Sequence, residues 1–171
     1  MLNTRLRVWL VASTILAVCG ATGCGTREPA LKVHAMGETV EAGSFGFQVS
    51  GSDWASRIGE GPEARTPVHR YLVIRLSAFN RSVSDLAVPL MTLVGDDGQT
   101  YPEVGNVTAD PGWLGLNRKV RPNESVQGNV VFDVPPAHYR LRVADESGLN
   151  NLALIDIPLR IQSDTDLGDA R

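Results

Sequence analysis

Val126-Gln127-Gly128-Asn129-Val130-Val131-Phe132-Asp133-Val134 repeats with a period of two. Val126, Gly128, Val130, Phe132 and Val134 fall on one side, and Gln127, Asn129, Val131 and Asp133 on the other. A helix would scatter these two sets around its circumference, whereas a strand sends successive side chains to opposite faces. The stretch therefore reads as a strand with one dry side. Phe45, Phe47 and Val49 repeat the pattern against Gly46, Gln48 and Ser50, as do Leu141 and Val143 against Arg140, Arg142 and Ala144. From Tyr71 to Phe79, Leu72, Ile74, Leu76 and Ala78 share a face opposite Arg75 and Ser77, which suits a central strand of a sandwich. Ile155, Ile157, Leu159 and Ile161 also share a face. Pro158 removes a ladder donor there, so this strand is expected at an edge or to bend.

Asp96, Asp97 and Gly98 lie between Leu93-Val94 and Tyr101 and signal a hairpin, because Asp and Gly tolerate positive φ. Leu86 to Val94 is apolar on both faces and interrupted by Pro89, which predicts two short strands or a segment that changes sheets. No stretch after residue 25 has a helical apolar face, and no internal repeat is present. About seven short strands separated by turns predict an all-β, antiparallel two-sheet sandwich.

The first 24 residues carry a different signal. Arg5 and Arg7 precede an apolar run from Val8 to about Ala21, which closes on Ala21-Thr22-Gly23-Cys24. A charged start, a short apolar middle and small residues before a processing site mark export. The run is about 14 residues, roughly 21 Å as a helix, and falls short of the ~20 residues that span a bilayer. Residues 1–23 accordingly read as a lipoprotein signal peptide and Cys24 as the cysteine to be lipidated, with palmitate among the expected acyl groups. Gly23 supplies the small residue that lipoprotein signals place before the cleaved bond, whereas Cys19 follows the β-branched Val18. An ordinary secretory signal and an uncleaved anchor are the alternatives, and in all three the folded part lies outside the cytoplasm.

Both cysteines lie within the first 24 residues, so a chain acylated at Cys24 has no thiol left for an internal disulfide. Processing removes two of the 16 basic residues and none of the 19 acidic ones, leaving a net charge of −5. That balance argues against nucleic acid, which is bound chiefly by neutralising phosphates. Residues 24–36 contain Pro29 and no sustained period and read as lipidated cysteine plus flexible tether. Residues 37–162 form the sandwich, and the polar, acidic stretch 163–171 reads as a disordered tail.

Several ordered pieces resemble a known family, the telokin-like, immunoglobulin-like domain of unknown function found in bacterial lipoproteins and secreted proteins. They are Gly37-Glu38-Thr39-Val40; Tyr71 to Leu76 running on to Asn80; Asp97, Gly98 and Tyr101; and Pro122-Asn123-Glu124-Ser125 followed by Gly128, Val130, Phe132, Val134 and Pro135. The likeness spans about residues 37 to 160 and fades between Glu103 and Val120. It implies an immunoglobulin-like sandwich and transfers no catalytic residue. The cysteine pair of antibody domains is absent. At these positions Pro122 and Asn123 suit a turn, and Gly128 admits a close neighbour within the sheet.

Candidate chemistry is sparse. His34 and Met36 could present borderline and soft ligands to copper, but such a site wants three or four, and His69, His138 and Met91 lack metal spacing. No Gly-x-Ser-x-Gly elbow and no His-Glu-x-x-His pair occurs. The Asn-x-Ser/Thr triplets at Asn80, Asn106 and Asn123 read as turn and strand-end residues. Arg75, Arg140 and Arg142 either line one outer face that attracts an anionic polymer or simply face solvent.

The loop Asp110-Pro111-Gly112-Trp113-Leu114-Gly115-Leu116 clusters Trp113, Leu114 and Leu116 in a deformable segment expected at an end of the sandwich. Two readings stand: a partner-binding loop, or a plug over the open end of the core. Trp54 with the loop Ser56 to Pro67 is open to the same two readings. The sequence thus predicts a non-enzymatic binding module without cofactor, held at the cell membrane or outer membrane by its lipid, that contacts an unidentified envelope protein or ligand. The alternative is an extracytoplasmic copper carrier centred on His34 and Met36.

Overall fold

The computed structural model describes residues 31–116 and 118–160. Over these residues the chain forms eleven strands: β1 (Val33–His34), β2 (Thr39–Ala42), β3 (Phe45–Ala55), β4 (Arg70–Asn80), β5 (Leu86–Ala87), β6 (Thr92–Gly95), β7 (Thr100–Pro102), β8 (Lys119–Val120), β9 (Ser125–Val134), β10 (Tyr139–Val143) and β11 (Ala153–Ile157). One 3-10 turn occurs, at Gly61–Glu63. β9 is the stretch with the clearest two-residue period. It pairs antiparallel with β4 over its whole length, from Ser125 opposite Phe79 to Val134 opposite Arg70.

Two sheets face each other, one in the order β1-β11-β10-β6-β7 and the other in the order β2-β3-β4-β9, with β5 and β8 as a small separate pair. The space between them is filled from both sides: Phe45, Phe47, Leu72, Ile74 and Phe132 meet Leu93, Leu141, Val143 and Ile155, all buried. This is the expected all-β sandwich. Tyr139, the first residue of β10, donates from its hydroxyl to the Pro135 carbonyl at 2.7 Å, a tie four residues upstream like the tyrosine corner of immunoglobulin-like sandwiches. Burial, then Tyr101 packed edge-on against it, push the Tyr139 phenol up to about 12.

The strand count exceeds the expected seven because β1, β5 and β8 hold two residues each and β7 three, too few to display a period. Leu86 to Val94 resolves into two short strands in different sheets. β11 stops at Ile157, one residue before Pro158; Leu159 is exposed and Ile161 lies outside the described residues. β1 and Met36 lie within the expected tether, yet β1 pairs in parallel with β11 and Met36 packs against the core. The signal peptide, Cys24 and the tail 163–171 lie outside the described residues.

β3 departs from a simple period. Its pairing with β4 shifts between Val49 and Gly51, so Ser50 is the extra residue of a bulge. Before the bulge Phe45, Phe47 and Val49 point inward; after it Trp54 stands opposite Leu72 and packs on the core, while Asp53 stands opposite Val73 and faces out. The outer face of this sheet is not uniformly wet either. Tyr71 and Val131 on that side are buried with Ile58 and Val107 in a second apolar cluster. The loops after β3 and after β7 fold over the sheet to cover it.

Candidate functional site

Beside that second cluster the same outer face opens into a polar groove. β3 contributes Gln48, Ser50 and Asp53, β4 contributes Arg75 and Ser77, and β9 contributes Gln127 and Asn129. One hollow of about 400 Å³ lies between Gln48, Arg75, Gln127 and the segment Pro111–Trp113. A second, of about 350 Å³, shares Ser50 and Arg75 with it and runs on past Asp53 to Trp54 and Arg160. A third continues from Asp53 toward Arg57, Glu60 and Asp110. The bulge at Ser50 produces this geometry, because it places Asp53 where the Arg75 guanidinium donates to it. Gly51 leaves room beneath: a Cβ there would sit 2.5 Å from Arg75 Nη2 and would push the guanidinium aside. Arg75 and Asp53 are each about half exposed and neutralise one another, and Arg57, Arg160, Glu60 and Asp110 also line the hollows, so the groove has a polar floor with both signs of charge.

The far wall of the groove is the loop from Asp110. Asp110 accepts from Gly112 N and from Asn129 Nδ2, both at 2.9 Å. Along the free edge of β9, Val104 N donates to Val131 O at 2.8 Å, Asn129 N to Gly112 O at 2.7 Å, and Leu114 N to Asn129 O at 2.9 Å. The loop therefore runs beside β9 and satisfies its unpaired backbone, where a bare edge would invite association. It does not sit at the end of the sandwich where the sequence placed it. Trp113 is half-buried and packs on the Ile58-Tyr71-Val107-Val131 cluster, with its Nε1 buried and unpartnered among the described residues. Leu114 packs on the main core from the other side, and Leu116 is 52% exposed. As the sequence suggested, Gly128 admits a close neighbour: a Cβ there would lie 2.9 Å from both Gly112 O and Leu114 Cδ1.

The remaining candidates are dispersed. Arg140 and Arg142 lie on the outer face of the β1-β11-β10-β6-β7 sheet, with Arg140 bound to Asp96 at 2.9 Å, while Arg75 lies on the opposite face of the sandwich, so the three form no common patch. His34 Nδ1 is 3.2 Å from Glu38 Oε2, Met91 is buried in the core and His69 lies beside Asp133. The described residues contain no group of three or more His, Cys, Asp or Glu that could hold a metal ion. His138 bridges two carboxylates, Nδ1 to Asp96 at 3.0 Å and Nε2 to Asp156 at 2.7 Å. These carboxylates, Asp156 foremost, hold its imidazole above the ordinary range, and the hydrogen bond from His138 in turn lowers the Asp96 carboxyl. Asn80 is buried and donates to the Ser84 and Val120 carbonyls, and Asn123 adopts φ 58°, so these two triplets are structural. The sequence reading named Asp110 in the candidate loop and Arg75 among the outer-face arginines, but missed the bond from Asn129 to Asp110 and the pairing of Arg75 with Asp53. The Asp-Pro-Gly turn was a usable signal for the first, but the bulge left none.

The family described as "Domain of unknown function (DUF4352)" matches residues 34–149. The chain belongs to this family. The matched span holds β2 to β10, the Gln48, Arg75, Gln127 and Asn129 part of the groove with its wall, and the ordered motifs that carried the family resemblance. No curated protein matches the chain in sequence to a significant degree. Among solved structures, the DUF4352 chain is similar to the YjhA protein of Bacillus subtilis, with a TM-score of 0.57 and 18% identity over 73% of this chain and 99% of that one. It is also similar to MPT63, a secreted protein from Mycobacterium tuberculosis, with a TM-score of 0.58 and 14% identity over 75% and 99%. A candidate lipoprotein of Bacillus subtilis, YcdA, has a TM-score of 0.52 and 15% identity over 71% of this chain and 39% of its own. At such identities the likeness is one of fold. The family and these neighbours indicate no enzymatic class.

Proposed function

We propose that the protein is a lipid-anchored, non-enzymatic binding module on the extracytoplasmic side of the bacterial envelope, with the groove beside Pro111–Trp113 as its contact surface. The observation that carries this reading is the groove itself: a polar, charge-balanced floor on a rigid sheet, walled by a loop that is tied down at both Asp110 and Asn129. The preformed shape lowers the ordering cost of binding. The internal pairing of Arg75 with Asp53 favours a polar ligand of low net charge over an anionic polymer. Trp113 and Leu114 act in this reading by holding the wall, and Leu116 is the exposed apolar side chain next to it.

The secreted and lipoprotein neighbours support the extracytoplasmic address, as does the signal that ends on Cys24. Ser50 and Ser77 in the groove have no histidine bonded to them, since the three histidines pair with carboxylates elsewhere, which supports binding over hydrolysis. A photo-crosslinking amino acid at Gln127, compared in living cells with the same residue at Thr92 on the opposite sheet, tests the reading. A discrete adduct from Gln127 that is absent from Thr92 and lost with Arg75→Glu is the expected result. Equal labelling from both faces would rule the groove out as the contact.

A further inference from the structure

The amino-terminal chain enters the fold at one end of the sandwich. Val33 pairs with Leu154, next to the turn that joins β10 to β11. The same end carries the β2–β3 turn, the loops after β4 and before β6, and the turn before β9. These turns form a continuous rim: Arg81 N donates to Ser44 O at 2.9 Å, Asn123 N to Asn80 O at 2.9 Å, and a Cβ on Gly148 would lie 3.5 Å from Pro89 Cβ.

Three of these loops present large apolar side chains to the outside. Val83 is 93% exposed, Leu149 78% and Leu90 60%, each on a different loop. Leu31 is exposed on the incoming chain. Charges around them are mixed: Arg81 is paired with Glu41, and Arg121 faces Glu124 at 4.0 Å. Gly148 beside Pro89 brings Leu149 and Leu90 onto adjoining loops, and Val83 stands on a third loop at the same end. Asp85, Asp145 and Glu146 in the same loops have no ion-pair partner among the described residues, so attraction to a bilayer here would come from the apolar side chains and not from charge.

Cys24 precedes Leu31 by seven residues, about 23 Å of fully extended chain at ~3.3 Å per residue. An acyl group on Cys24 therefore keeps this rim, and not the opposite end, close to the bilayer. We propose that the rim rests on the membrane surface, with Val83, Leu90 and Leu149 in the interfacial layer. The sandwich then stands upright, and both sheet faces, the groove included, are free above the lipid. This proposal rests on the lipid-anchored reading and adds an orientation to it.

The test uses the acylated mature protein reconstituted into phosphatidylethanolamine/phosphatidylglycerol vesicles that contain nitroxide-labelled lipid. Acylation occupies Cys24, so a cysteine introduced at Leu149, Leu90 or Val68 is the single free thiol for an environment-sensitive fluorophore. Val68 is 87% exposed in the loop that leads into β4, at the opposite end. Probes at Leu149 and Leu90 are expected to shift to shorter wavelength and lose intensity to the nitroxide, while the probe at Val68 does neither. Acylated, co-sedimenting protein in which all three probes respond alike would overturn the orientation and leave the anchor standing. Protein that carries no lipid and fails to co-sediment would overturn the anchor and the orientation together.

Discussion

Arg118 and Glu103 form a doubly hydrogen-bonded ion pair in which both side chains are out of water, 0% and 1% exposed. Arg118 Nη1 lies 3.0 Å from Glu103 Oε1, and Nη2 donates to Oε2. Glu103 also accepts from Met91 N at 2.6 Å, and Arg118 Nε donates to Gly115 O. The pair closes the loop that walls the groove and ties its two ends to the segment before β6. Removing one partner leaves a buried charge uncompensated, at a cost of about 3–5 kcal/mol. Glu103→Ala should therefore lower the urea midpoint sharply, while the double replacement Glu103→Leu with Arg118→Met should recover most of the loss. Midpoints in urea for wild type and the two variants check this.

Gly128 permits the loop to lie against β9. Gly128→Val would place side-chain atoms where Gly112 O and Leu114 already stand, and overpacking of this kind costs about 1–3 kcal/mol. The displaced loop would also uncover the edge of β9. Lower stability with concentration-dependent association by light scattering is expected, whereas Gly46→Ala, with its nearest neighbour at 3.7 Å, should leave both unchanged.

The sandwich was legible in the sequence wherever a strand was long enough to show alternation. Phe45 to Val49, Leu72 to Ala78, Val126 to Val134 and Leu141 to Val143 all pack as their period required. Two physical causes hid the rest. A bulge residue shifts every side chain after it by one, so the outward turn of Asp53 could not be read from the pattern that buries Val49. Val131 looked like part of a wet face because its cover, the loops bearing Ile58 and Val107, is distant in sequence. Pairs such as Arg118-Glu103 and Arg75-Asp53 are likewise set by tertiary packing and leave no local trace.

His138 links the β6–β7 hairpin to β11 through Asp96 and Asp156. Its imidazole is held above the ordinary 6.5, so the stabilisation is complete below that value and is lost as pH rises through the higher folded-state value. Asp96 is displaced downward from 3.8, so its share is present above that value and is lost as pH falls through the lower folded-state one. Thermal unfolding of wild type should weaken on the alkaline side of pH 6.5 relative to His138→Gln, which lacks this titration. Parallel melting profiles for the two proteins across that range would contradict the bridge.

Arg75 and Asp53 form an exposed pair, and such pairs contribute about 0–1 kcal/mol. Arg75→Glu should thus leave the melting temperature within a few degrees of wild type while abolishing the crosslink from Gln127. A variant that unfolds would show that the pair serves the fold, and a folded variant that retains the adduct would show that the pair does not serve the groove.

The proposed anchoring at Cys24 underlies both the proposed envelope address and the proposed upright orientation. Metabolic labelling with a radioactive fatty acid, followed by membrane fractionation, measures it directly. Wild type should take up label and sediment with membranes, and Cys24→Ser should lose the label and leave the membrane fraction. Label and fractionation unaltered in Cys24→Ser would contradict the account.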